Sequence, residues 1–196
     1  AVAYQQGEKE VRGIEYKGEY YDEKGISLRK AFLKAPLRFN RISSRFSRAR
    51  RHPVLGGIQP HFGVDYTAPT GTPVWSVADG TVISCGWNGG YGKQVIIRHP
   101  NGYKTYYGHL SRYSPGMKVG IRVKQKQIIG YVGSTGLSTG PHLDYRLVKE
   151  GRFRNPLRES FPAGLPIGKE EMEAFQERRD ERIAWLEGNA SLRKKM

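Results

Sequence analysis

Between about residue 41 and residue 158, apolar and polar positions alternate in short runs, each closed by turn residues. "GTPVWSV" is followed by "ADG", then by "TVISCGW" and the glycine-rich "NGGYG". "KQVIIRH" and "YKTYYGHL" flank "PNG", and "KQKQIIGYVG" precedes "HLDYRLVK", which turns at Glu150-Gly151 into "RFRNP". A two-residue period in short stretches is the mark of half-buried strands, and Asn101-Gly102 is a strong tight-hairpin signal. No repeat with a period of roughly 20–50 residues is present, which excludes a solenoid or propeller. The pattern predicts a mainly β, antiparallel domain over residues 41–158.

The flanks differ. Residues 1–40 carry "VRGIEYKGEYYDEKGISLRKAFLKAPL", in which tyrosines suit strands and Asp22–Gly25 suits a turn. This short β segment is read as the edge of an upstream domain. Residues 159–196 form a linker followed by "GKEEMEAFQERRDERIAWLEG", rich in helix formers, with acids early and arginines later as the helix dipole favours. Met172, Phe175, Ile183 and Leu186 fall near one stripe, which predicts one amphipathic α-helix ending at Gly188 and used for packing or a partner.

Composition adds limits. Hydrophobic residues make up 37% of the 196 positions and aromatics 11%, as expected of a globular protein. No apolar run approaches the roughly 20 residues needed to span a bilayer. A lone Cys85 rules out an internal disulfide and a cysteine-based zinc finger. The net charge of +15 favours polyanionic partners: nucleic acid, anionic lipid, or a carboxylate- and phosphate-rich cell envelope. Arg38, Arg41, Arg45, Arg48, Arg50 and Arg51 cluster before the middle of the chain, and a solvated basic loop accounts for them equally well. No helix-turn-helix, RNA-recognition or basic-zipper pattern is present, so no specific nucleic-acid partner is expected.

Three of five histidines stand in polar, glycine-flanked settings. His61 and Asp65 lie four apart in "HFGVD", an even spacing that returns both to one face of an extended segment. His109 follows "TYYG" on the same side as Tyr107. In "TGPHLDYRL", strand geometry turns His142, Asp144 and Arg146 to one face. Imidazoles and carboxylates bind zinc, and a catalytic zinc takes three protein ligands with a position left open. Spacing alone leaves a metal site and a set of ordinary polar residues equally open, and His52 and His99 are read as ordinary.

The stretches "HFGVDYTAPTGTPVWSVADGTV", "YYGHLS" and "GSTGLSTGPHLDYRL" resemble, in order, the lysostaphin-like (LytM-type) zinc metallopeptidases that cut peptidoglycan crosslinks. The resemblance runs from about Ile42 to Leu157. It implies an antiparallel β-sheet groove with one Zn2+ on its floor, held by His61, Asp65 and the residue at position 144. It implies His142 as the general base and His109 as the oxyanion stabiliser, two roles that could be exchanged. Tyr107 and the loop containing Asn88, Gly90 and Tyr91 would line the peptide groove.

Position 144 departs from the family pattern, in which His-x-His supplies a ligand and the next same-face position is commonly glutamate. Here the pair is Asp144 and Arg146, with both partners changed in sign. The expectation is that Asp144 still binds the metal while Arg146 holds its second oxygen, as an outer carboxylate does for a ligating histidine. An Asp oxygen and a His Nδ1 each lie one bond beyond Cγ. Asp144 therefore matches a histidine binding through Nδ1 and falls short of one binding through Nε2. Two carboxylates cancel the charge of a divalent ion, so a harder ion such as Mn2+ competes better than in a two-histidine site.

These features predict an exported, monomeric, metal-dependent endopeptidase of the periplasm or cell envelope. Its substrate would be peptidoglycan peptide stems, with the D-alanyl-diaminopimelate crosslink favoured by analogy with Gram-negative relatives. The short N-terminal piece is compatible with an upstream inhibitory domain or an envelope partner. Two other readings are an inactive scaffold that binds the wall or activates another hydrolase, and a charge-driven binding module for anionic polymers. Retention of His61, Asp65, His109 and His142 together favours the enzyme.

Overall fold

Leu143, Tyr145 and Leu147 are no more than 2% exposed, while His142, Asp144 and Arg146 occupy the other face of the same strand. One face of this strand thus builds a core and the other a polar floor. The computed structural model of the chain describes residues 2–6, 9–51, 57–100, 102–161, 164 and 166–193. His52 and Asn101 lie outside them. The chain divides into two compact units, residues 1–31 with 161–196, and residues 32–160.

In the first unit, β1 (Val2–Gln6), β2 (Lys9–Tyr16) and β3 (Glu19–Tyr21) form an antiparallel sheet in that order. The turn at Asp22–Gly25 closes as its sequence demands. Asp22 Oδ1 accepts the N–H groups of Lys24 and Ile26 at 2.9 and 2.8 Å, and Gly25 N–H donates to the Asp22 carbonyl at 2.9 Å. Helix α1 (Met172–Arg193) supplies Phe175, which is fully buried with Ile14 and Ile167. Tyr16 and Tyr21 each present a ring to Phe175 at 5.7 Å. The two ends of the chain, separate pieces in the linear pattern, therefore share one core. The helix does not stop at Gly188 but continues to Arg193. An exposed glycine inside a helix costs only about 1 kcal/mol, and Ala190, Leu192 and Arg193 beyond it favour continuation.

The second unit begins earlier than the strand pattern suggested, because Phe32 and Leu37 are buried in it. Phe32 packs on His99 and Tyr103, and Trp75 N–H donates to the Pro36 carbonyl at 2.9 Å. The strands are β4 (Arg41–Ser44), β5 (Ser47–Arg51), β6 (Ile58–His61), β7 (Val64–Thr67), β8 (Pro73–Trp75) and β9 (Gly80–Trp87). They continue with β10 (Lys93–Arg98), β11 (Tyr103–Tyr113), β12 (Arg122–Val123), β13 (Ile128–Val132), β14 (His142–Lys149) and β15 (Arg152–Arg154).

Ten of these strands form an antiparallel sheet with the path β12-β9-β10-β11-β14-β7-β4. β13 pairs with β11 and β8, and β15 with β14, while β5 and β6 form a separate pair. β14 lies inside this path between β11 and β7. The side chains of its polar face are therefore held by paired strands on both sides, which is the rigidity a preformed site requires.

Candidate metal centre and groove

Asp144 on β14 stands directly opposite Asp65 on β7 in the antiparallel ladder. Both are buried, at 3% and 7% exposure. Like charges facing each other across a ladder are destabilising unless a cation lies between or beside them. His61 approaches from β6, with Nε2 at 3.1 Å from Asp65 Oδ1 and 3.5 Å from Asp144 Oδ2. His61 and Asp65 do not share one extended strand. The chain bends at Phe62-Gly63, so the two converge from strands of different sheets.

The Nδ1 of His61 lies 3.2 Å from the Arg45 carbonyl, which can only accept, so this nitrogen carries the proton. The other nitrogen, Nε2, faces the two carboxylates, which favour a proton there that a bound cation would displace. Ligand atoms of His61, Asp65 and Asp144 all lie within 4.8 Å of one another. Burial works against a charged imidazole here, yet the carboxylates of Asp144 and Asp65 outweigh it and raise His61 to about 9. A field that holds a proton this strongly also draws a divalent cation. The donor set of one imidazole and two carboxylates fits zinc, and equally a harder ion.

Arg146 does more than hold one oxygen of Asp144. Its Nε donates to Oδ1 at 2.7 Å and its Nη2 to Oδ2 at 2.9 Å, a two-point fork. Burial alone would raise the Asp144 carboxyl, but His61 and Arg146 reverse this and hold it well below the usual range. The guanidinium carbon lies 4.3 Å from the centre of the Tyr91 ring. Gly63 permits this path, since a Cβ there would sit 2.9 Å from Arg146 Cγ and 3.1 Å from the Tyr145 carbonyl oxygen.

His109 and His142 meet beside this cluster, with ring centroids 4.7 Å apart. His109 Nδ1 lies 2.7 Å from the Thr135 carbonyl and His142 Nδ1 lies 2.8 Å from that of Gly140. Each neutral ring therefore donates through Nδ1 and keeps Nε2 as an acceptor. Burial lowers the pKa of His109, partly offset by the Thr135 carbonyl.

His109 does not share a face with Tyr107. β10 spans two residues, Lys93 to Val95, while β11 spans three, Leu110 to Tyr107. This extra residue is a β-bulge, and His109 within it has φ of 59°. Tyr107 is thus not a groove residue: it is fully buried against Tyr145 on the core side. Its hydroxyl oxygen accepts the Val77 N–H at 3.2 Å and is hydrogen-bonded to the Thr105 hydroxyl at 2.9 Å. Asn88 and Gly90 are exposed around the short turn Gly89–Tyr91, and Asn88 Nδ2 donates to Gln94 Oε1 at 2.8 Å.

The groups that orient the three site histidines are the carbonyls of Arg45, Thr135 and Gly140. Sequence reasoning did not single them out, because a backbone carbonyl has no residue signature. The threonine- and glycine-rich run "GSTGLSTGPH" was the available sign of a loop built to place them.

An antiparallel sheet bearing a buried imidazole–dicarboxylate cluster beside a histidine pair defines a metallopeptidase type of site. Residues 59–156, half of the chain, match peptidase family M23, and the chain belongs to that family. It is 43% identical over 175 residues to the peptidoglycan DD-endopeptidase ShyC of Vibrio cholerae serotype O1, covering 89% of this chain and 40% of that protein. A zinc-containing peptidase from Vibrio cholerae superposes with a TM-score of 0.63 at 34% identity, covering 82% of this chain and 50% of that one. The catalytic domain of lysostaphin from Staphylococcus simulans superposes with a TM-score of 0.53 at 33% identity, covering 60% of this chain and 89% of that one. The chain thus spans about two fifths of the length of the curated relative it matches.

Proposed function

We propose that this chain carries the catalytic domain of a metal-dependent peptidoglycan endopeptidase acting on peptide crosslinks. The observation that carries this reading is the buried pair Asp65–Asp144, directly opposed, with the Nε2 of His61 turned toward both. His61, Asp65 and Asp144 would hold one zinc ion, or a harder ion such as manganese. When bound, the ion supplies Lewis-acid polarisation of the scissile carbonyl and makes water acidic enough to attack at neutral pH.

The protein's own work falls to the histidine pair. One ring takes the proton from the attacking water through Nε2, and the resulting N–H⁺ can then donate to the developing oxyanion or return the proton to the leaving amine. Their matched hydrogen bonding supports the pair as a unit, with either ring able to begin as the base. Asn88, Gly90 and Tyr91 form a wall for the extended peptide, and Tyr107 supports the sheet from behind.

The name of the Vibrio relative, a DD-endopeptidase, favours the D-alanyl to diaminopimelate crosslink, with the chain exported to the periplasm or envelope. Among the described residues no helix is long and apolar enough to cross a membrane. An inactive scaffold is disfavoured because the ligand set and both histidines are in place together. The test is digestion of purified peptidoglycan with zinc or with chelator, read as loss of crosslinked dimers. Chelator-sensitive loss is expected, and no loss from folded, metal-loaded chain would overturn the reading.

A further inference from the structure

A guanidinium that meets both oxygens of a carboxylate lies in the plane between them. That sector is also the one a cation enters when both oxygens of one carboxylate bind it together. The two cannot share it. Arg146 occupies this sector on Asp144, with contacts of 2.7 Å to Oδ1 and 2.9 Å to Oδ2. The fork is fixed from outside: the Tyr91 ring stacks on it, and the missing side chain at Gly63 gives its stem room. Oδ2, which lies 3.5 Å from His61 Nε2, remains turned toward the ligand cluster through its outer lone pair.

We propose that Arg146 is a positioning residue that restricts Asp144 to binding the metal through one oxygen. A freed Asp144 could chelate through both and fill a coordination position that catalysis needs for water or for the substrate carbonyl. Arg146 is therefore a device for keeping the site open rather than for tightening it. The inference rests on the metallopeptidase reading above.

The test compares the full chain with Arg146→Gln and Arg146→Lys, each loaded with one equivalent of zinc. X-ray absorption reads the number of oxygen neighbours, and competition with a chromophoric chelator reads affinity. The lysine variant keeps the charge but not the fork. Both variants should gain one oxygen neighbour and bind zinc as tightly as the parent or more so. Their kcat on crosslinked muropeptide dimers should fall by more than about tenfold with a smaller change in KM. Unchanged coordination in both variants overturns the proposal. So does a loss of zinc affinity beyond about tenfold, which would make Arg146 a brace that keeps Asp144 within reach. Parental coordination in Arg146→Lys alone also overturns it, since charge and not the fork would then suffice. A parent chain that takes up one equivalent of neither zinc nor manganese overturns the metallopeptidase reading as well.

Discussion

The rings of His109 and His142 face each other with centroids 4.7 Å apart, although strict strand alternation would send His109 to the core side beside Tyr107. The bulge in β11 and the positive φ of His109 make that exchange of faces. If the pair moves protons, His109→Ala and His142→Ala should each lower kcat by about 10²–10⁴-fold. Bound zinc, measured by elemental analysis, should stay at the parental level. Loss of metal in either variant would move that histidine into the ligand set.

Asp65 and Asp144 should behave as ligands of equal standing. Asp65→Asn and Asp144→Asn each remove one charge from the cluster while keeping shape. Zinc affinity should drop by more than the roughly 10–100-fold typical of losing an outer partner. Titration against a chelator of known affinity decides this. Retained affinity in Asp144→Asn would remove Asp144 from the metal site.

His99 offers a stability test remote from the chemistry. Burial lowers its pKa to about 4, against the carbonyl of Asp79, which accepts from Nδ1 at 2.8 Å. The unfolded chain takes up this proton near pH 6.5, whereas the folded chain resists it until about 4. The unfolded state therefore binds more protons in that window, so stability is complete above pH 6.5 and falls as pH drops toward 4, by about 3 kcal/mol from this residue. Urea midpoints across the window should fall less steeply in His99→Gln. Parallel profiles for the two proteins would sink the assignment.

Tyr107→Phe should destabilise without touching catalysis. It removes the oxygen that accepts the Val77 N–H and pairs with Thr105, leaving both without that partner. The expected cost is about 1–3 kcal/mol. Chemical denaturation gives the loss, and turnover per folded molecule should match the parent. A selective drop in kcat or rise in KM would return Tyr107 to the groove.

Crowding at Gly133 gives a structural check on His142. A Cβ there would lie 2.4 Å from Ser111 N and 2.7 Å from Ser111 Cα, both backbone atoms that cannot step aside cheaply. The Gly133 carbonyl also accepts the His142 N–H at 3.1 Å. Gly133→Ala should cost about 1–3 kcal/mol or more and lower kcat through His142 rather than through metal loss. Unaltered stability would contradict the close approach.

Much of the molecule is local in origin, and those parts are legible in the chain itself. Alternation in "HLDYRLVK" settles that His142, Asp144 and Arg146 share a face opposite Leu143, Tyr145 and Leu147, because a strand has a period of two. Asp22 and Gly25 specify their turn through contacts no more than four residues apart. The types of His61, Asp65 and Asp144 are compatible with a cation, but spacing alone leaves ordinary polar residues equally open, and the family resemblance is what singles the three out.

Other features belong to the tertiary structure, because they depend on register between distant segments. Local period places Tyr107 and His109 together, and only the mismatch between β10 and β11 separates them. The share of Asp144 that Arg146 takes is set by Tyr91 and Gly63, which come from two other loops. Phe175 joins the two ends of the chain in one core, a contact no local pattern encodes. Residue type decides what chemistry is available within a few positions, whereas long-range pairing decides which atoms meet.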